Sequence, residues 1–245
     1  MDEEKKTKTK TAYYHLPGLF EFYELYQVFL PLFREHREYF YDWCDIGSIY
    51  GAPTDCLWGG GRVEIGDRDP REILALMREY GISARLTFSN SLLREEHLSD
   101  RKCNDLCALL NVGEGIRNGV IVHSELLLEY LKKTYPGLYF VSSTTRVITD
   151  FQQFTGEVDR EDYRCTAPDA DSGYRFSKAM TNPGFIGVYD IKNVYLPMGF
   201  SNFKIEGRGL GSALILEFLL YYLTKPKYQL HVREEIYLDN MLDLF

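Results

Sequence analysis

The chain has 245 residues, of which 45% are apolar and 26% charged, a composition typical of a globular protein. Its net charge of −8 argues against diffuse attraction to nucleic acid, although a local basic patch is compatible with it. The five cysteines are scattered and odd in number, which disfavours a disulfide framework in a chain of this length.

The N-terminal residues predict neither a secretory signal nor a membrane anchor. Residues 1–12 are polar and charged, so we expect a disordered tail followed by a single domain over 13–245. No run of about 18 apolar residues occurs in the sequence. We therefore expect a cytoplasmic protein that does not span a membrane.

The apolar pattern predicts elements in the following order. Residues 18–40 have helical periodicity, which Pro31 should kink or break. A short strand over 44–53 ends in a Gly-Ala-Pro turn. Helices are then predicted over 69–81, 94–111 (with a break near Ser99), 125–137, 211–223 and 225–245, and strands over 83–90, 119–124, 138–149, 163–169 and 203–207. Residues 189–200 are typical of one or two helical turns and a loop.

Helices that alternate with short apolar strands indicate βαβ units and a parallel sheet. The predicted fold class is α/β, a TIM-like β/α barrel that is complete or short by one βα unit. The glycines of "WGGGRVEIG" and "GRGLGSA" lack the spacing of a dinucleotide-binding turn. The second stretch precedes a helix, where an anion would find free N–H groups, but a plain turn is favoured.

Polar residues follow most of the predicted strands. Because the carboxyl ends of strands in a parallel barrel meet on one face, we expect these residues to share a site. They are Asp55, Thr87, Ser89, Asn90, His123, Ser124, Ser143, Thr144, Thr145, Asp169, Lys204, Glu206 and Arg208.

Three charged residues, Lys204, Glu206 and Arg208, alternate with smaller residues and are predicted to share one face of a strand. Buried and unpaired they would be very costly, so they must pair or contact a ligand. Two interpretations stay open. One is a structural ion-pair ladder that also includes Asp169, and the other is a pocket floor for an anionic or carbonyl substrate.

The histidines and cysteines give weaker signals. His123, at a strand end, is more often a structural residue than a catalytic one. Cys103 and Cys107 have helical i, i+4 spacing, but no second ligand pair follows, so buried cysteines are favoured over a metal site. Topology alone suggests that Cys44, Cys56 and Cys165 meet near the barrel mouth.

The order of motifs resembles the collagenase-like peptidases of unassigned catalytic type. The similar stretches are "DPREILALMREYGISARLTFSN", "NGVIVHSELLLEYLKKTYPGLYFVSSTT" and "GFSNFKIEGRG", of which the Lys-Ile-Glu-Gly-Arg run is the most specific. The resemblance extends over residues 44–224 and implies a β/α barrel. Relatives carry an iron–sulfur cluster held by cysteines.

The chain also departs from that family. The His-Gly strand and cysteine-rich segment expected between Asp169 and "GVYDIKNVYLPMGF" are absent, Thr145 stands where the family has Gln, and His123 stands where it often has Asp. The cluster ligands are thus missing, and the cofactor is left unknown.

These features support two functional hypotheses. The first is a cytoplasmic enzyme of the collagenase-like peptidase superfamily that acts on a peptide or a modified RNA-type substrate. Lys204, Glu206 and Arg208 would be catalytic, with Glu206 as acid or base because its cationic neighbours keep it ionised. Asn90, His123, Ser143, Thr144 and Asp169 would bind substrate. The alternative is a degenerate, non-catalytic barrel that binds a ligand or protein partner; a homo-oligomer is compatible with both.

Overall fold

The computed structural model describes residues 10–60, 68–112, 115–143, 176–207 and 211–242. Its strands are β1 (Ala12–Pro17), β2 (Cys44–Gly51), β3 (Ser83–Phe88), β4 (Gly119–Val122), β5 (Tyr139–Ser142) and β6 (Asn202–Lys204). Its helices are α1 (Tyr23–Glu35), α2 (Pro70–Tyr80), α3 (Arg101–Asn111), α4 (Glu125–Thr134), α5 (Phe176–Ala179), α6 (Val188–Asp190), α7 (Leu196–Met198), α8 (Ser212–Leu223) and α9 (Gln229–Leu242). A π-helical turn, Ile191–Tyr195, connects α6 to α7.

The strands form a six-stranded parallel sheet in the order β5-β4-β3-β2-β1-β6, flanked by helices. Strands consecutive in sequence are neighbours, and β6 lies beside β1. The curled sheet and this order are consistent with part of a β/α barrel, in which the last strand returns to β1. The described residues contain no strand that joins β5 to β6, so they show the α/β class and the barrel-like order without showing closure.

The chain divides into two compact units, which we describe separately. Unit 1 comprises Met1–Pro17, Phe22–Ile49 and Ile186–Phe245, and unit 2 comprises Gly18–Glu21 and Tyr50–Phe185. Unit 1 thus holds β1 and β6, unit 2 holds β3, β4 and β5, and β2 contributes residues to both.

Several helices begin and end where their sequence signals predict. The Asp69 side chain caps α2 by accepting from Arg71 N–H at 2.9 Å, Pro70 is the first helical residue, and Gly81 ends the helix at φ 69°. The predicted break near Ser99 is confirmed, because a 3₁₀ segment over Glu95–Ser99 precedes α3.

Three predicted elements need correction. Residues 12–17 form β1. The sequence predicts no strand there and assigns Ala12 to a disordered tail. Helix α1 continues through Pro31 to Glu35, so this proline does not break the helix. Strand β6 ends at Lys204, so Glu206 lies beyond the strand on which the sequence places it. The predicted strand over 163–169 lies outside the described residues.

Unit 1 has an aromatic core beside an apolar helix. The Phe33 and Phe40 ring centroids lie 4.8 Å apart, and those of Phe29 and Phe40 lie 5.7 Å apart. Helix α8 buries Ile215, Leu216, Phe218, Leu219, Leu220 and Leu223. Such burial supplies most of the favourable free energy of folding.

Unit 2 has its own core around Trp58. Its indole ring meets Phe88 of β3 edge-on, with centroids 5.2 Å apart, and Tyr130 of α4 at 6.0 Å. The indole N–H donates to the His97 carbonyl at 2.7 Å, so the buried ring leaves no polar group unpaired. These contacts fix the loop after β2 against β3, α4 and the 3₁₀ segment Glu95–Ser99.

Candidate functional site

The two faces of β1 have different chemistry. The Tyr14 ring lies 5.8 Å from Tyr222 of α8 and 6.1 Å from Phe203 of β6, so Tyr14 points toward the helix layer. Successive strand residues point to opposite faces, which places His15 on the face away from α8. The register pairs His15 with Lys204, so the two share that face.

His15 is held by a hydrogen bond at each ring nitrogen. Its Nδ1 lies 2.8 Å from Ser48 Oγ of β2, and its Nε2 lies 3.0 Å from Asn202 Oδ1 of β6. The Asn202 amide donates to Ser201 Oγ at 3.0 Å, which turns its carbonyl oxygen toward His15. In neutral imidazole, Nε2–H therefore donates to Asn202 and Nδ1 accepts the Ser48 hydroxyl proton.

The histidine ring packs against Gly47 of β2. A Cβ atom at Gly47 would lie 2.7 Å from His15 Cε1 and 3.1 Å from Tyr13 Cβ. Atoms do not approach so closely without a shift, so any larger residue would displace the imidazole. Gly47 thus explains how a ring fits over the neighbouring strand.

Lys204 and Glu206 form an ion pair next to His15. Lys204 Nζ lies 2.5 Å from Glu206 Oε1, and the side chains are 24% and 64% exposed, respectively. Lys204 thus lies mostly beneath the surface, while the carboxylate faces solvent. We call His15, Ser48, Asn202, Lys204 and Glu206 the His15 cluster; all five belong to unit 1.

Ser48, His15 and Asn202 are joined by hydrogen bonds of the length found between an activated nucleophile, its base and the group that orients the base. However, Ser48 has no accessible surface and His15 is only 6% exposed, so a substrate has no route to the serine hydroxyl. The network instead fixes the imidazole of the residue that pairs with Lys204 in the strand register. Lys204 and Glu206 are the members with solvent-accessible charge, suited to bind a carbonyl or carboxylate and to exchange a proton.

Two of the predicted substrate-binding residues meet in unit 2. His123 N–H donates to the Phe88 carbonyl and Ser143 N–H to the Val122 carbonyl, each at 2.9 Å, which continues the register of β3, β4 and β5. Ser89, His123 and Ser143 therefore form one row at the carboxyl ends of these strands.

Asn90, the third of the predicted substrate-binding residues that the structure describes, has an evident structural role. Its Nδ2 donates to the Leu57 carbonyl and its Oδ1 accepts from Leu92 N–H, both at 2.9 Å. These bonds attach the loop after β2 to the end of β3. Both ends of the amide thus bond to the backbone, which is typical of a loop anchor.

The remaining predicted site residues, Thr144, Asp169 and Arg208, lie outside the described residues. Their assignments stay predictions. The Lys204–Glu206 contact is the part of the predicted charge ladder that is observed. It is compatible with both the structural and the ligand-binding interpretation.

The described cysteines do not fit an iron–sulfur cluster. Cys44 lies in unit 1, where its thiol donates to the Tyr41 carbonyl at 3.3 Å, and burial raises its pKa to about 12. Cys56 and Cys103 contact each other in unit 2, and Cys107 is buried on α3. Among the described residues, no three His, Cys, Asp or Glu side chains form a group that could hold a metal ion.

Sequence reasoning missed His15, Ser48 and Asn202. His15 and Ser48 are isolated polar residues, Asn202 follows the polar Ser201, and β1 itself is not predicted. A weak signal exists, because Gly47 and Ser48 are adjacent small residues inside the largely apolar strand "CDIGSIYG". The hydrogen bonds that join these three residues of β1, β2 and β6 depend on tertiary structure, which sequence periodicity does not predict.

Comparisons with protein-family models, with curated proteins and with solved structures find no match to this chain. In the part of the chain that the structure describes, every helix is too short or too polar to cross a membrane.

Proposed function

We propose that the chain is an enzyme of the collagenase-like peptidase superfamily that hydrolyses a peptide-type substrate at the His15 cluster. The observation that carries this proposal is the position of Lys204. It lies opposite His15 at the carboxyl end of β6, on the face away from α8, and is paired with a solvent-facing carboxylate. The carboxyl ends of parallel strands are where β/α barrels hold their catalytic groups.

The proposed chemistry assigns one role to each charged group. Lys204 donates a hydrogen bond to the substrate carbonyl oxygen and stabilises the negative charge that develops on it. Glu206 accepts a proton from the attacking water and returns it to the leaving amine, so a C–O bond forms as the C–N bond breaks. Ser48 and Asn202 hold the His15 ring in place on the strand next to Lys204.

The experiment is hydrolysis of a quenched fluorescent collagen-type peptide by the purified protein. We expect Lys204→Met to lower kcat/KM by about 100-fold, the effect typical of removing one donor to a developing oxyanion. Lys132→Met is the matched control. Lys132 pairs with Glu129 at 3.4 Å in an exposed ion pair on α4, in unit 2. No cleavage by the wild-type protein would refute hydrolysis.

A second candidate function is ligand binding without catalysis. Its support is the burial of Ser48 and the engagement of both His15 ring nitrogens, which leave the cluster without an exposed nucleophile. Fluorescence anisotropy with the same peptide separates the two candidates. Binding that Lys204→Met abolishes, together with intact peptide after prolonged incubation, would favour a binding protein over an enzyme.

A further inference from the structure

Two cysteines of unit 2 have their sulfur atoms in contact. Cys56 Sγ, in the loop after β2, lies 3.1 Å from Cys103 Sγ in the first turn of α3. Both residues are free thiols, and neither has accessible surface. Neither belongs to the His15 cluster, so the pair is independent of the proposed function.

The backbone on each side of the pair is held by several bonds. Cys103 N–H donates to the Asp100 side chain at 2.8 Å, which caps α3. On the other side, Trp58 Nε1–H donates to the His97 carbonyl at 2.7 Å, and Asp55 forms an ion pair with Lys102. The loop and the helix therefore keep the two sulfur atoms together.

The surroundings give the two thiols different acidity. The pKa of Cys56 is lowered because the Cys103 thiol donates a hydrogen bond to it and because the backbone N–H groups of Gly59 and Trp58 point at it. The hydrogen bond to Cys56 and burial both raise the pKa of Cys103. Cys56 is thus the better nucleophile, since the thiolate is the reactive form.

We propose that Cys56 and Cys103 are a peroxide-sensitive pair that forms a reversible disulfide. The Cys56 thiolate attacks hydrogen peroxide, so an S–O bond forms, the O–O bond breaks, and one water leaves after protonation. The Cys103 thiol then attacks the sulfenic sulfur, which forms the S–S bond and releases the second water. Two thiols are oxidised, and one peroxide is reduced to two waters.

Geometry favours this product over others. A disulfide needs a sulfur separation of about 2.05 Å, so the contact must shorten by about 1 Å, which side-chain rotation can supply. Cys107 is the nearby competitor, because it lies one turn along α3 and Cys56 contributes to raising its pKa. Burial selects a water-sized oxidant over bulky disulfides.

The test treats the folded wild-type protein with equimolar hydrogen peroxide, alkylates the remaining thiols after denaturation, and maps the peptides by mass spectrometry. We expect a Cys56–Cys103 disulfide as the main product, restored to thiols by dithiothreitol. Cys44→Ser, outside unit 2, is the matched control and should form the same cross-link. In Cys103→Ser, Cys56 should instead be trapped as a sulfenic acid by dimedone.

Three results would overturn the proposal. The first is both thiols remaining alkylatable after exposure that fully oxidises free cysteine. The second is a predominant Cys56–Cys107 disulfide, and the third is oxidation of Cys103 before Cys56. The first two results are read from peptide mapping of the wild-type protein, so they do not depend on whether a variant folds.

Discussion

His15 and Lys204 lie opposite each other in β1 and β6, and the His15 carbonyl accepts the N–H of the residue after Lys204, Ile205, at 2.9 Å. A buried imidazole and a lysine from opposite ends of the chain are thus fixed by one strand pairing. Because the backbone ladder sets this juxtaposition, changes to the Lys204 or Glu206 side chain should alter the chemistry of the cluster more than the stability of the fold.

Glu206→Gln tests the acid–base role of the carboxylate. We expect kcat/KM for the collagen-type peptide to fall by about 100-fold or more, the contribution typical of a positioned general base. The free energy of unfolding in urea should change by at most about 1 kcal/mol, because Glu206 is largely exposed and such ion pairs are weak. Glu129→Gln, in the exposed pair on α4, is the control and should preserve both quantities. A large loss of stability with unchanged hydrolysis would make the pair structural.

His15→Ala should destabilise unit 1, because it leaves the buried Ser48 hydroxyl without its partner. We expect a cost of roughly 2–4 kcal/mol, which combines the unsatisfied hydroxyl with the lost ring packing. Ser48→Ala alone should cost about 1 kcal/mol, and a double-mutant cycle should give a coupling of at least about 0.5 kcal/mol. Urea unfolding measures all three, with His36→Ala as a control at a more exposed histidine. Strict additivity would mean that the observed 2.8 Å contact carries no energy.

Gly47→Ala should displace the His15 ring, since its Cβ would lie 2.7 Å from Cε1. We expect a destabilisation of roughly 1–3 kcal/mol and a shifted His15 signal in NMR spectra. Gly184→Ala is the matched control, because its Cβ would meet only Asn182 Oδ1 at 3.4 Å. Equal effects of the two substitutions would contradict the close packing of His15 on β2.

Stability should fall at alkaline pH through Cys44. Burial raises its pKa from 9.0 to about 12, so between these values the unfolded chain releases a proton that the folded protein retains. The stability that the protonated Cys44 thiol contributes is fully present below pH 9. It is lost as the pH rises toward 12, at roughly 1.4 kcal/mol per pH unit. Urea titrations near pH 8 and pH 10 under reducing conditions should show a smaller decline for Cys44→Ala than for wild type. The same decline in both proteins would contradict this assignment.

The sequence predicts the parts of the fold whose signals are local. Helix α2 is marked by Asp69, Pro70 and Gly81, and the structure places its ends there. Strand β1 carries polar rings in a short segment, so its strand identity depends on pairing with β6. The sequence singled out Lys204, Glu206 and Arg208 as charged residues of one strand face. His15, which pairs with Lys204, and Ser48, which bonds to His15, come from strands more than 150 residues away. Only tertiary structure brings such residues together.

The most direct test of the central claim is a crystal structure of Glu206→Gln with the uncleaved collagen-type peptide bound. We predict a peptide carbonyl oxygen within about 3.2 Å of Lys204 Nζ, on the face of β6 that His15 shares. A saturated complex in which the peptide lies elsewhere and Lys204 contacts only residue 206 would contradict the claim.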